Sequence, residues 1–160
     1  MSKSGEPTVR GPWSVANAYK FLEHAVIPMR IGVESSSGCP LVLSVWFIAD
    51  GYELLGATQS SSVLARSLER SARCGFEVAA DAPPYRGVRG QAQVELKPEE
   101  GAAILDRLLV RYLGSTTNPL GARLRVRSAD EVGIRLRPVS LVSWDYADRM
   151  ASSLVRPLDG

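Results

Sequence analysis

The chain has 160 residues, 45% hydrophobic and 22% charged, which is the size and mixture of one globular domain and excludes a wholly disordered polypeptide. Its net charge of +2 is too small to argue for nucleic acid. No apolar run approaches the ~20 residues that cross a bilayer. One histidine, His24, excludes a centre built on several histidines, so no metal site is expected. Two cysteines, Cys39 and Cys74, are too few for a disulfide framework. The opening residues lack the apolar stretch of a signal peptide, so a cytoplasmic protein is expected, with no membrane and no nucleic-acid partner.

Residues 1–12, with Gly5, Pro7, Gly11 and Pro12 among polar neighbours, read as a flexible leader. Ser14 caps a predicted helix over Val15 to Ala25, with Ala18, Phe21, Leu22 and Ala25 at helical spacing and Pro28 closing it. Met29 to Glu34 alternates as a strand, and Ser35 to Gly38 is a turn. Leu41 to Ile48 is a continuous apolar run, the pattern of a strand buried on both faces. Asp50-Gly51 is a hairpin signal, with Tyr52 to Thr58 returning. Ser60-Ser61-Ser62 breaks that strand and caps a helix to about Ser71, apolar at Leu64, Ala65, Leu68 and Ala72.

Cys74 to Ala80 is strand-like, Asp81 to Pro84 turns, and Val88 to Leu96 is another strand. Pro98 starts a helix that carries Ile104, Leu105, Leu108, Leu109 and Tyr112 to Gly114. Residues 115–130 read two ways. Asn118-Pro119 caps a short helix, the preferred reading, while Leu124 and Val126 also alternate with arginines as in a strand. Val132 to Val142 is a last strand, interrupted by Pro138. Arg123, Arg125, Arg127, Arg135 and Arg137 are expected on solvated faces, paired with Asp130 and Glu131. Short links between strands favour an α+β, mainly β, antiparallel sheet or barrel with peripheral helices.

One part of the chain carries a more specific pattern. Gly38 and Pro40 sit at the first hairpin, Val45-Trp46-Phe47 on the second strand, Ala57-Thr58 before the serine run, and Pro83 to Val88 further on. The tail from Pro138 to Trp144-Asp145-Tyr146 completes the series. Together these resemble the flavin-binding split-barrel family related to pyridoxamine 5′-phosphate oxidase, over residues 15–147. The resemblance implies a six- to seven-stranded antiparallel split barrel over 13–150, with 151–160 as a flexible tail. It also implies a homodimer, with FMN or a deazaflavin in a groove between the barrels and a small organic substrate. It places Leu43, Ser44, Val45 and Trp46 along the cofactor ring, with the backbone of Ser44 to Trp46 in contact.

Thr58, Ser60, Ser61 and Ser62, leading into a helix N-terminus, form a pocket suited to an anion. Their ordinary reading is a serine-rich cap. Where relatives carry a lysine for the cofactor phosphate, this chain has Leu64, and Ser67 stands where they often carry asparagine. Losing that cation costs about 1.5–3 kcal/mol. Arg66 lies about 200° around the helix from Leu64 and is not an obvious substitute. Tyr85, Arg86 and Arg89 lie in a turn suited to a planar or anionic ligand, and Arg30 is another cation within possible reach. Two alternatives stand beside the oxidoreductase. One is a flavin-free barrel whose Leu64 extends an apolar groove for a hydrophobic molecule, as a binding protein or a cyclase- or isomerase-like enzyme. The other is haem binding through His24 or a cysteine.

Overall fold

The computed structural model describes residues 5–151. Residues 1–4 of the expected leader and 152–160 of the expected tail lie outside the described residues. In chain order the elements are β1 (Thr8–Arg10), α1 (Val15–His24), β2 (Met29–Glu34), β3 (Pro40–Val45), β4 (Ile48–Asp50) and β5 (Glu53–Gln59). Then come α2 (Val63–Arg70), β6 (Arg73–Ala79), β7 (Arg86–Lys97), α3 (Gly101–Leu113), α4 (Pro119–Arg125), β8 (Glu131–Asp145) and α5 (Ala147–Ala151).

Side chains cap the helices where the sequence places polar residues. Ser14 Oγ accepts from the Asn17 amide at 3.2 Å, Ser62 Oγ from Ala65 at 3.0 Å and Asn118 Oδ1 from Gly121 at 2.7 Å. Residues 119–125 are therefore helical, and Gly114, at φ 74°, ends α3 in the left-handed region.

The sheet runs β3-β2-β6-β7-β8-β5-β4 with antiparallel neighbours throughout. It is not closed by a ladder. Its edge strand β3 nevertheless comes back against β5, where a Cβ on Gly56 would lie 3.2 Å from Val45 Cγ1 and 3.3 Å from the Trp46 carbonyl oxygen. A side chain at position 56 would press on both neighbours, so glycine favours that approach. The enclosed core holds Leu22, Met29, Ile31, Phe47, Leu54 and Phe76 among others. A smaller cluster of Leu55, Ile104 and Leu108 lies under α3, on the other face of β5.

Four expectations are corrected. The described residues form eight strands, not six or seven, because short β1 and β4 are added. Thr8–Arg10, assigned to a leader, pair in parallel with Ser140–Val142, and Trp13 N donates to Ser143 Oγ at 3.1 Å. The apolar run from Leu41 to Ile48 is no doubly buried strand. It is edge strand β3, with Val42 66% exposed, then a bend at Trp46-Phe47, then β4. Finally, Pro138 does not interrupt β8. Gln91 pairs with Ser140 and Ala92 with Pro138, so Val139 is an unpaired bulge residue. On the opposite side β5 stops at Leu136 and β1 starts at Ser140, so Pro138 falls where β8 has only one neighbour. Among the described residues, no helix is long and apolar enough to cross a membrane.

Candidate functional site

Two features flank the end of β5, one on each face. The first is the serine loop. Thr58 Oγ1 donates to Ser62 Oγ at 3.1 Å, and that oxygen also caps α2. The Ser60 amide is held by the Asp130 carbonyl at 2.8 Å, and the Ser62 amide by Gln59 O at 2.9 Å. The amides of the first helical turn have no partner within the helix, which leaves the loop suited to an anion.

Arg66 completes the loop. Its Nη1 donates back to the Ser61 carbonyl. Arg66 is exposed and Leu64 buried, so the two lie on different faces of α2 as the helical angle implies, but side chains on a helix lean toward its N-terminus, and arginine is long enough to reach back to the loop. The result is a guanidinium beside a helix N-terminus, where the dipole disfavours a cation. Among the described residues no carboxylate pairs with it. Leu64 does not extend a groove. It is 4% exposed and packs in the main core, next to Leu68. Ser67 is buried as well and accepts from Arg70 Nη2 at 3.2 Å.

The second feature is a cleft of about 430 Å³ between β3, β5 and the two helices α3 and α4. Ser44, Val45 and Trp46 form one wall, with Ala57 and Thr58 from β5. Leu105 and Leu108 of α3 and Leu120 and Leu124 of α4 form the other. Gln59 and Glu131 close one end. Trp46 is held flat against Tyr112, with ring centroids 4.9 Å apart and planes 8° from parallel. The Tyr112 hydroxyl donates to Ile27 O at 3.1 Å and accepts from Phe47 N at 3.3 Å, which pins the bend after β3. Burial raises the Tyr112 pKa, so its hydroxyl keeps its proton. Burial also raises the Glu131 pKa, opposed by the hydrogen bond from Gln59 and by Arg127.

The structure thus brings Ser44, Val45, Trp46 and Thr58 to one cleft and Ser60, Ser61, Ser62 and Arg66 to the adjoining loop. Sequence reading missed Gln59, Leu105, Leu108, Leu120, Leu124 and Glu131 as lining residues. The apolar periodicities of α3 and α4 were visible, but not which face of β5 they cover. Leu43 packs against the main core. Tyr85, Arg86 and Arg89 lie elsewhere. The register runs from Ser44 to Arg30 to Glu77 to Arg89, three strand steps, or about 14 Å at the usual spacing. Arg89 instead lies over the Trp144 ring at 5.6 Å.

The arginines also pair differently from expectation. Arg135 and Arg137 share Glu53 at 2.7 Å each, with Glu100 and Glu95 as further partners, and Arg125 pairs with Asp106 at 2.9 Å. These carboxylates lie across neighbouring strands and helices, which spacing along the sequence does not reveal. His24 is exposed at the end of α1, with Nδ1 2.7 Å from Lys20 O. Cys39 is exposed in the turn before β3, while the Cys74 thiol is buried and pushed up to about 12.

No family model and no curated protein matches the sequence. Solved structures do match the fold. A conserved hypothetical protein from Mycobacterium tuberculosis aligns over 93% of this chain and 92% of its own, with a TM-score of 0.71 and 22% identity. An F420 reductase aligns over 76% of this chain and 94% of its own, with a TM-score of 0.66 and 24% identity. A pyridoxamine 5′-phosphate oxidase-like protein from Listeria innocua aligns over 79% and 94%, with a TM-score of 0.60 and 13% identity. The chain folds as a split β-barrel of the pyridoxamine 5′-phosphate oxidase type. In this split barrel, the approach of β3 to Gly56 marks where the sheet curls back without pairing.

Proposed function

We propose that this split barrel is a cytoplasmic, homodimeric small-molecule oxidoreductase that uses FMN or a deazaflavin. The observation that carries the reading is Arg66. A guanidinium turned onto the serine loop, with no carboxylate partner among the described residues, supplies the cation that Leu64 removes. Thr58, Ser60, Ser61, Ser62 and Arg66 would hold the cofactor phosphate, with hydroxyls, first-turn amides and one planar cation suited to phosphate oxygens. The backbone from Ser44 to Trp46, fixed by Tyr112, would flank the ring. The cofactor, when bound, supplies the hydride chemistry. The chain's own residues orient it and keep water from the cleft through the leucines of α3 and α4. Tyr85, Arg86 and Arg89 are too far from their own cleft, so in this reading they serve the site of a second copy. The exposed edge strand β3, with Val42 outward, favours such pairing.

A second reading is favoured by the apolar cleft itself: a flavin-free barrel that binds a hydrophobic molecule. A visible spectrum after incubation with FMN or deazaflavin and gel filtration separates the two. The first reading expects a dimer that retains one cofactor per chain, and Arg66→Ala weakens retention about tenfold to a hundredfold. A colourless protein that retains neither refutes it.

A further inference from the structure

The cleft has uneven chemistry. Its long walls are hydrocarbon, contributed largely by Leu105, Leu108, Leu120 and Leu124. Among the described residues no lysine, arginine or histidine lines it, and Glu131 is the one ionisable residue that does. Gln59 donates from Nε2 to Glu131 Oε1 and lies 3.5 Å from the Arg127 carbonyl oxygen. Two acceptors on the nitrogen side fix which way the amide faces. Its Oε1 is therefore left buried, with no donor. A buried acceptor without a partner is unfavourable, and nothing among the described residues repays it.

The charges that reach Glu131 are Arg127 and Asp130, which act in opposite directions, and neither pairs with it. The end of the cleft thus offers a carboxylate with no salt-bridge partner among the described residues. The backbone holds this end rigidly. A Cβ on Gly101 would sit 2.1 Å from the Glu131 carbonyl oxygen, so α3 is seated directly on that residue.

We propose that the cleft binds an apolar small molecule carrying one protonated amine, with the ammonium on Glu131 and the hydrocarbon body against the leucines of α3 and α4. This names a substrate class for the oxidoreductase site and rests on that reading only for the word substrate, because the binding itself needs no cofactor. An ammonium donates to the carboxylate and supplies its missing counter-charge in one group. It also relieves the burial cost that holds the Glu131 carboxyl above its ordinary range. A carboxylate of the same size would meet Glu131 with like charge.

The test is calorimetric titration of the full chain, without cofactor, with 2-phenylethylamine, 2-phenylethanol and 3-phenylpropionate. The amine is expected to bind at least about tenfold tighter than the alcohol, the equivalent of one charge-assisted hydrogen bond, with the acid weakest. Glu131→Gln, checked for folding by circular dichroism, removes the amine's advantage, and Leu124→Ser weakens amine and alcohol alike. Equal binding of amine and alcohol, preference for the acid, no binding of any probe, or an advantage that survives Glu131→Gln overturns the proposal. Cofactor retention is measured separately on the same protein. Amine selectivity without retained flavin overturns the oxidoreductase reading alone, and flavin retention without amine selectivity overturns the substrate class alone.

Discussion

Removing one oxygen, by Tyr112→Phe, tests whether α3 fixes the bend that shapes the cleft. The ring remains, so its stack on Trp46 at 4.9 Å survives, as does most of the apolar contact. What is lost is the hydroxyl that joins the Ile27 carbonyl, at 3.1 Å, to the Phe47 amide, at 3.3 Å. Phe47 is fully buried, so its N–H gains no water in exchange. One stranded buried donor and one weakened carbonyl together cost about 2–3 kcal/mol, with the long Phe47 bond keeping the sum near the lower end. For a chain of this size that is a fall of roughly 4–12 °C in Tm. Denaturant unfolding measures it directly, as a lower midpoint with an unchanged slope. The same variant weakens 2-phenylethanol binding, because the Ser44–Trp46 wall is no longer pinned. A loss below about 0.5 kcal/mol, within the range of an ordinary surface change, refutes the bridging role.

Two further perturbations follow from the same packing. Arg111 donates to the carbonyls of Leu22, Glu23 and Ala25 at 3.1, 2.8 and 2.8 Å, closing the C-terminus of α1, and lies 5.5 Å from the Phe47 ring centroid. Arg111→Met is expected to cost about 2–4 kcal/mol, and Arg111→Lys to recover only part, because a compact ammonium cannot span three carbonyls; equal stability of both with the parent in urea melts would contradict this. The raised carboxyl of Glu131 makes the folded state bind its proton more tightly than the unfolded chain does. Its contribution is therefore neutral below the unfolded pKa and becomes unfavourable as pH rises through the folded one. Glu131→Gln is expected to match the parent near pH 3, to gain on it as pH rises from the unfolded to the folded pKa of Glu131, and to keep a constant margin above that, read from melts across the range.

The local elements were legible because they are written in local chemistry. Ser14, Ser62 and Asn118 sit before apolar periodicity and cap as read, and Gly114 ends α3 as a glycine should. The run from Leu41 to Ile48 misled because apolar character reports total burial, not its source. Trp46 belongs to the cluster under α3 and Phe47 to the main core, so two cores claim neighbouring residues and the chain bends between them. Arg66 lies on a different face from Leu64, as its angle around the helix implies, but that angle does not describe the length and lean by which its side chain reaches the Ser61 carbonyl. Gln59 and Glu131 were invisible as a pair. They are 72 residues apart and meet only through the register of β5 on β8.

The gap at Pro138 divides the outer side of β8 into two independent ladders. β5 occupies Glu131 to Leu136 and β1 occupies Ser140 to Val142, and no hydrogen bond on that side joins them. Detachment of β1 therefore has no ladder along which to spread. The first strand can open and its amides exchange with solvent while the half of β8 that carries Glu131 stays closed. The break in the pattern, which in the sequence looks like the end of a strand, works as a fuse between the N-terminus of the chain and its cleft.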